Sequence, residues 1–373
     1  MPRAARRILS VFLALLCVTG DIACHASAPE TSAAAFVLLD ADSGRVLLSR
    51  AEGQERSIAS TTKLMTCLVA LEHSALTDRV TVKREHLREG SSMYLAEGEV
   101  LTMEELLYGL MLPSGNDAAE CIAAHCGGSG GSAQFVAWMN EKAAALGMTH
   151  TSFRNPSGLD EQGHHSCALD MARLAAFAMQ NPTFARIVST RTASVGSRTM
   201  VNHNKLLASY SGCIGGKTGY TGDAGRTLVT CAEQDGLRLI AVTLCDGSDW
   251  DDHAALYDYG FAAYHRACGA KAGAQYGTVT AGGSSVPAVA AEDFAYPLAE
   301  GESLTTRAEL PHTVTAPLQK GQRLGELAIL CSGQEVGRVA LISARAAQAK
   351  EEGAQRPEKN RTLAERLWDL LSA

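Results

Sequence analysis

A chain of 373 residues, 46% hydrophobic and 20% charged, is long enough for two folded domains and too apolar for a disordered tail. Its net charge of −7 argues against a nucleic-acid binder that works by neutralising phosphates, so no nucleic-acid partner is expected. Eleven cysteines, an odd number, do not match the even-numbered framework of a disulfide-stapled secreted fold.

The front end sets the compartment. Arg3, Arg6 and Arg7 precede a largely apolar run, Ile8 to Val18, of 11 residues, too short to span a bilayer. Ala26-Ser27-Ala28 then supplies the small residues a signal peptidase reads. Residues 1–28 are therefore expected to be a secretory signal peptide, giving an exported, extracytoplasmic protein. Its removal takes away Cys17 and Cys24 and leaves 30 basic and 39 acidic residues, net −9. The nine cysteines left sit mostly among apolar or alanine-rich neighbours and are expected to be mostly free buried thiols.

The remaining elements follow in order. Residues 33–39 read as a strand, 40–44 as a turn and 45–48 as a second strand. Helical periodicity runs from Ile58 to Leu71. A second helix, Glu99 to Gly109, carries Thr102 as N-cap with Glu105 at the reciprocal capping-box position. Further helices are expected at 116–125, at 132–146 ending on Gly147, and at 166–180 closed by Asn181-Pro182. Residues 226–231 and 237–244 read as strands, and 257–264 as a last helix. Terminal strands around internal helices suit an α/β domain built on one antiparallel sheet.

Composition shifts at 269–293 toward Gly, Ala, Ser and Val, which marks a linker or the start of a second domain after a first at 29–268. Short β-like pieces at 304–310, 313–317, 324–330 and 335–343 predict a small β domain over 294–350. In the final segment, 351–373, Leu363, Leu367, Trp368, Leu370 and Leu371 share one face of an amphipathic helix over 362–371, suited to the outer surface of the cytoplasmic membrane or to packing on the β domain.

The chemistry lies in three short motifs. Ser60-Thr61-Thr62-Lys63 opens a helix, and a spacing of three puts Ser60 and Lys63 on one face. A serine hydroxyl needs a base, and a lysine serves when burial or nearby cations lower its pKa. Ser114-Gly115-Asn116 lies between two helices, where Ser114 can relay a proton and Asn116 can hold a substrate carbonyl. Lys217-Thr218-Gly219 reads as a strand edge whose Lys and Thr grip a carboxylate, with Gly219 leaving the backbone approachable. Each motif alone is unspecific: a cap, a turn, a glycine-rich bend. Together, in this order, they are the signature set of active-site serine acyl-transfer enzymes acting on penicillin-like and D-alanyl substrates.

At this point the chain resembles the low-molecular-mass penicillin-binding proteins that are serine-type D-alanyl-D-alanine carboxypeptidases. The likeness extends through Ile58 to Thr66, Leu112 to Ala119, Phe153 to Asp160, His165-Ser166 with Asp170-Met171-Ala172, Asn202 to Leu207 and Lys217 to Thr221 with Ala224-Gly225-Arg226. It continues loosely through Ala316 to Gln322. Ile58, where the family often has proline, departs from the pattern. The resemblance implies a serine β-lactamase-like α/β domain followed by a small β-rich domain. It implies removal of the terminal D-alanine from peptidoglycan stem pentapeptides through an acyl-enzyme on Ser60, with β-lactams as covalent inhibitors and neither cofactor nor metal. It assigns Lys63 as base and Ser114 as proton relay. Asn116, Lys217, Thr218 and Gly219 would bind substrate, and the backbone N–H groups of Ser60 and Tyr220 would form the oxyanion hole.

Rival readings share parts of this pattern. A class A-like β-lactamase needs a glutamate on a loop between the second and third motifs; Glu161 lies in that interval but in the Pro156 to Gly163 context, and the extra β domain argues against it. A D,D-endopeptidase of the same fold is disfavoured by that domain. A non-enzymatic wall-binding protein predicts no covalent penicillin adduct. A zinc site from His164, His165, His150 and Cys167 lacks metal-ligand spacing and an evident carboxylate, so the histidines are expected to order a loop. Residues 246–253 read as an acidic surface turn.

Overall fold

The computed structural model describes residues 27–349. Residues 1–26 of the expected signal peptide at 1–28 and the expected amphipathic helix at 362–371 lie outside the described residues. Within them, the first domain is a five-stranded antiparallel sheet. Its strand order is Val46–Arg50, Ala35–Asp40, Leu237–Leu244, Gly225–Gln234 and Cys213–Thr221. The two ends of this domain thus share one sheet, as the element order requires, and the Cys213–Thr221 strand is left at an edge.

The second strand of that order shows why the sheet is covered on both sides. All six residues of Ala35–Asp40 are buried. Because side chains alternate, Ala35, Val37 and Leu39 face the helical layer, while Phe36 and Leu38 face the helix Asp249–Ala263 through Leu256 and Tyr257. Each such large side chain contributes about 1.5–3 kcal/mol by burial. The helical layer consists of Lys63–His73, Met103–Met111, Asn116–Gly127, Gly131–Ala145, Ala168–Ala178 and Pro182–Ser189.

Several local expectations hold. Thr102 Oγ1 accepts from Glu105 N–H while the Glu105 carboxylate accepts from Thr102 N–H, the expected capping box. Others shift. Val100–Thr102 is a short strand paired with Arg79–Thr81, so the helix there starts at Met103. Asn181-Pro182 closes one helix and opens another: Asn181 Oδ1 accepts from the N–H groups of Thr183 and Phe184, and Pro182 occupies the first turn. The last helix starts at Asp249, not 257, and the acidic stretch is no surface turn. Asp246, Asp249, Asp252 and His253 are buried; Ser32 Oγ donates to Asp246 Oδ1 and Asp252 Oδ2, Arg226 pairs with Asp249, and the His253 ring meets the Thr230 and Thr243 hydroxyls.

A two-stranded ribbon, Tyr264–Ala270 with Phe294–Ala299, leads to a six-stranded sheet. That sheet contains Gln275–Ala281 and Ser284–Ala290, which lie within the stretch marked by composition alone, together with Leu304–Glu309, Thr313–Val314, Arg323–Cys331 and Gln334–Ser343. Its own core centres on Val279, Val286, Leu327, Ile329, Val339 and Leu341. Arg45 of the first hairpin ties the parts together. It forms a bidentate pair with Glu302 at 2.7 Å and lies over the rings of Tyr264 and Tyr296. Among the described residues no helix is long and apolar enough to cross a membrane.

Candidate active site

Ser60 sits in a short 3-10 turn, Ala59–Thr62, that feeds directly into the helix Lys63–His73. The turn places Lys63 Nζ 2.8 Å from Ser60 Oγ. The same nitrogen lies 2.8 Å from Asn116 Oδ1 and 2.6 Å from the Ser157 carbonyl. Lys63 is completely buried. Burial, reinforced by the charge of Lys217 and opposed by Asp117, holds its pKa well below the ordinary lysine value. A neutral Lys63 has a lone pair for the Ser60 proton and two N–H groups for the two carbonyl oxygens, so every partner is used.

Asn116 begins the helix Asn116–Gly127 and is fixed from the other side. Its Nδ2 donates to Glu89 O at 2.8 Å and its backbone N–H to Ser91 O at 2.7 Å. Ser114, two residues earlier, is buried at the cleft floor with φ +66°, a left-handed conformation that non-glycine residues rarely adopt. Asp117 completes this wall. Its carboxylate accepts from Ser92 Oγ and from the N–H groups of Met93 and Leu95, holding the loop that faces the edge strand.

The third motif occupies the edge strand Cys213–Thr221, as the sequence predicts. Gly219 passes so close to the Ala59–Thr62 turn that an added Cβ would stand 3.0 Å from Ser60 N and 2.3 Å from Thr227 Oγ1. No side chain fits there. Thr227 Oγ1 also donates to Ile58 O, locking strand to turn. Thr218, Gly219 and Tyr220 line the cleft, whereas Lys217 is buried beneath it with Nζ donating to Thr218 O at 2.9 Å. Burial brings the Lys217 pKa down to about 7.

The cleft measures about 450 Å³ and opens on Ser60, Ser114, Thr218 and Tyr220. Its wall adds residues that the motifs alone did not single out: Ser91, His203, and Arg226 with its partner Asp249 and neighbour Trp250. Arg226 stood in the motif Ala224-Gly225-Arg226, which was the available signal. Behind Ser60 lies the loop 151–166. Pro156 O accepts from Thr66 Oγ1, Ser157 O from Lys63, and Asp160 from Ser57 and Thr221. His164 Nδ1 accepts from Arg154 N–H, so Nε2–H donates to Thr62 Oγ1 at 2.8 Å. Burial lowers the His164 pKa to about 4, which keeps this loop-ordering contact neutral. Glu161 is exposed and accepts from Asn155, outside the residues that line the cleft.

A serine joined to a buried lysine, a second serine and an amide on the facing wall, and a Lys-Thr-Gly edge strand define an active-site serine acyl-transfer enzyme. Residues 22–248 match the family model described as D-alanyl-D-alanine carboxypeptidase, and residues 270–349 match the C-terminal domain of penicillin-binding protein 5. The chain belongs to the D-alanyl-D-alanine carboxypeptidase family. It is 31% identical over 319 residues to D-alanyl-D-alanine carboxypeptidase DacF of Bacillus subtilis, covering 80% of this chain and 81% of the relative. With DacC of Escherichia coli it shares 32% over 338 residues, 84% of each chain. Penicillin-binding protein 5 from Haemophilus influenzae superposes with a TM-score of 0.76 at 28% identity, covering 86% of this chain and 99% of that one. The protein is thus a serine-type D-alanyl-D-alanine carboxypeptidase with a penicillin-binding-protein fold, a hydrolase of cell-wall peptides; an acyl-enzyme and acylation by penicillins fit this family.

Proposed function

We propose that Ser60 is the nucleophile and Lys63 its base in removing the terminal D-alanine from peptidoglycan stem pentapeptides. The observation that carries this is the 2.8 Å contact between Lys63 Nζ and Ser60 Oγ, with a fully buried lysine whose ammonium is disfavoured. Lys63 takes the Ser60 proton and Oγ attacks the carbonyl between the two D-alanines. The oxyanion forms between the backbone N–H groups of Ser60 and Tyr220. Ser114 passes the proton to the departing D-alanine amine, and Asn116 holds Lys63 and the substrate amide in register. Thr218 and Arg226, which line the cleft, meet the substrate's terminal carboxylate, while Lys217 adds positive potential from below. Water then hydrolyses the acyl-enzyme. A β-lactam acylates the same Ser60 and leaves slowly because the opened ring stays attached.

Export by the leader and association of the C-terminal segment with the outer face of the cytoplasmic membrane belong to the same proposal, and rest on sequence pattern alone. The exposed position of Glu161 away from the cleft supports a slow deacylation over a β-lactamase reading.

The decisive experiment measures D-alanine release from diacetyl-L-Lys-D-Ala-D-Ala alongside covalent labelling by a fluorescent penicillin. Ser60→Ala should abolish labelling and lower release by about 10³-fold or more. A labelled Ser60→Ala protein would remove Ser60 from the mechanism.

A further inference from the structure

The loop 151–166 supports the nucleophile helix at several points, and its two ends meet in one place. His150 stands before it; Cys167 and Asp170 stand after it, at the start of the helix Ala168–Ala178. A ring nitrogen of His150, Sγ of Cys167 and a carboxylate oxygen of Asp170 all lie within 4.8 Å of one another. Cys167 and Asp170 are fully buried and His150 is on the solvent side.

We propose that His150, Cys167 and Asp170 bind a divalent transition metal of the zinc class, with water as fourth ligand, and so staple the base of the loop 151–166. One nitrogen, one thiolate and one carboxylate form the borderline-soft donor set that zinc takes. Zinc bonds of about 2.0–2.3 Å at a tetrahedral angle put neighbouring ligand atoms about 3.5 Å apart. Side-chain rotation of roughly 1 Å closes the observed spacing to that value, and His150 is exposed and able to make it.

The neighbouring hydrogen bonds are of the kind that orient metal ligands. Cys167 Sγ accepts from Asp170 N–H at 3.4 Å, and Asp170 Oδ2 accepts from His150 N–H and Thr151 Oγ1 at 2.8 and 2.9 Å. Arg173 Nη1 lies 3.2 Å from Asp170 Oδ1, but its side chain is 43% exposed and swings into water when the metal arrives. On binding, the Cys167 thiol proton leaves to solvent. Thiolate and carboxylate then balance the two charges of the ion. The other two histidines of this region are committed elsewhere: His164 to Thr62 and Arg154, His165 toward Glu55 at 3.6 Å. The sequence offered those two and no carboxylate; the fold substitutes Asp170.

The test uses the full-length, reduced protein. Cobalt(II) should bind at one equivalent with a thiolate-to-cobalt charge-transfer band that zinc abolishes, and zinc should raise the Tm by about 5 °C or more. His150→Ala, an exposed change, and Cys167→Thr, which keeps a helix-capping oxygen, should each lose both the band and the zinc-dependent Tm rise. Both should still be labelled by penicillin without metal. A wild-type protein without the band would overturn the proposal, as would a band of full intensity in His150→Ala or Cys167→Thr. If Cys167→Thr does not fold, the result with His150→Ala decides alone.

Discussion

Replacing Asn116 by Asp isolates the charge state of Lys63. The two side chains have the same shape, so the contact to Lys63 Nζ at 2.8 Å is kept while a negative charge is added; the donor to Glu89 O is lost as well, a loss that Asn116→Ala shares. At that distance a unit charge pair is worth about 6 kcal/mol at an effective dielectric near 20. Part of this is lost because the new carboxylate is itself buried and resists ionisation. Keeping half leaves about 3 kcal/mol in favour of the ammonium, a drop of more than about 100-fold in the fraction of neutral lysine.

The assay is the second-order rate of acylation by a fluorescent penicillin across pH. A base must be neutral, so a stabilised ammonium pushes the acidic limb of the profile to higher pH. Asn116→Asp should therefore acylate about 100-fold more slowly near pH 7 and recover as pH rises. Asn116→Ala, which removes the amide without adding charge, should slow acylation without moving the limb upward. An Asn116→Asp profile that coincides with the wild type in position would refute Lys63 as the base.

Three further outcomes are expected. Gly158→Ala should lose about 2–4 kcal/mol of stability and most penicillin labelling: φ is +82° and the new Cβ would stand 1.9 Å from Ala59 O, a backbone atom that cannot yield; a wild-type Tm would contradict the close approach. The pKa values of His164 and His253 are lowered by burial to about 4 and about 3, so as pH falls below about 6.5 the unfolded chain takes up protons that the folded one refuses. Stability should fall by up to about 1.4 kcal/mol per pH unit for each histidine between pH 6.5 and 4, and His253→Gln should flatten the slope of Tm against pH; an unchanged slope would exclude His253 as a contributor. Thiol titration of the denatured, unreduced protein should find about nine free thiols, since all nine cysteines among the described residues are unpaired; one thiol or none would contradict this arrangement.

What could be read from the sequence was local. Ser60 and Lys63 are one helical turn apart, so their contact follows from spacing; the capping box at Thr102 and Glu105 is likewise contained in four residues. The partners that complete the site are distant. Ser157 reaches Lys63 across 94 residues, His164 reaches Thr62 across 102, and Asp117 holds Ser92 across 25. Nothing in local periodicity encodes such pairings; the sheet register and the loop path do. The helix Asp249–Ala263 shows the same limit from the other side. Three aspartates in its first turn read as solvent-facing, yet acidic residues are favoured at a helix N-terminus, and here Arg226 and Ser32 allow two of them to be buried.

The two buried lysines connect fold to chemistry. Lysine is almost never fully buried, because its charge is costly to desolvate. Here Lys63 and Lys217 come from different elements, the helix Lys63–His73 and the edge strand, both are buried, and the charge of Lys217 disfavours that of Lys63. Among the described residues Lys217 bonds a carbonyl oxygen, and Lys63 has carbonyl and hydroxyl oxygens rather than a carboxylate. Acceptors without charge satisfy the N–H groups and do not hold the ammonium form. A carboxylate in place of Asn116 Oδ1 would stabilise the folded protein locally and disable the base, so the amide at this position trades stability for a lysine able to accept a proton.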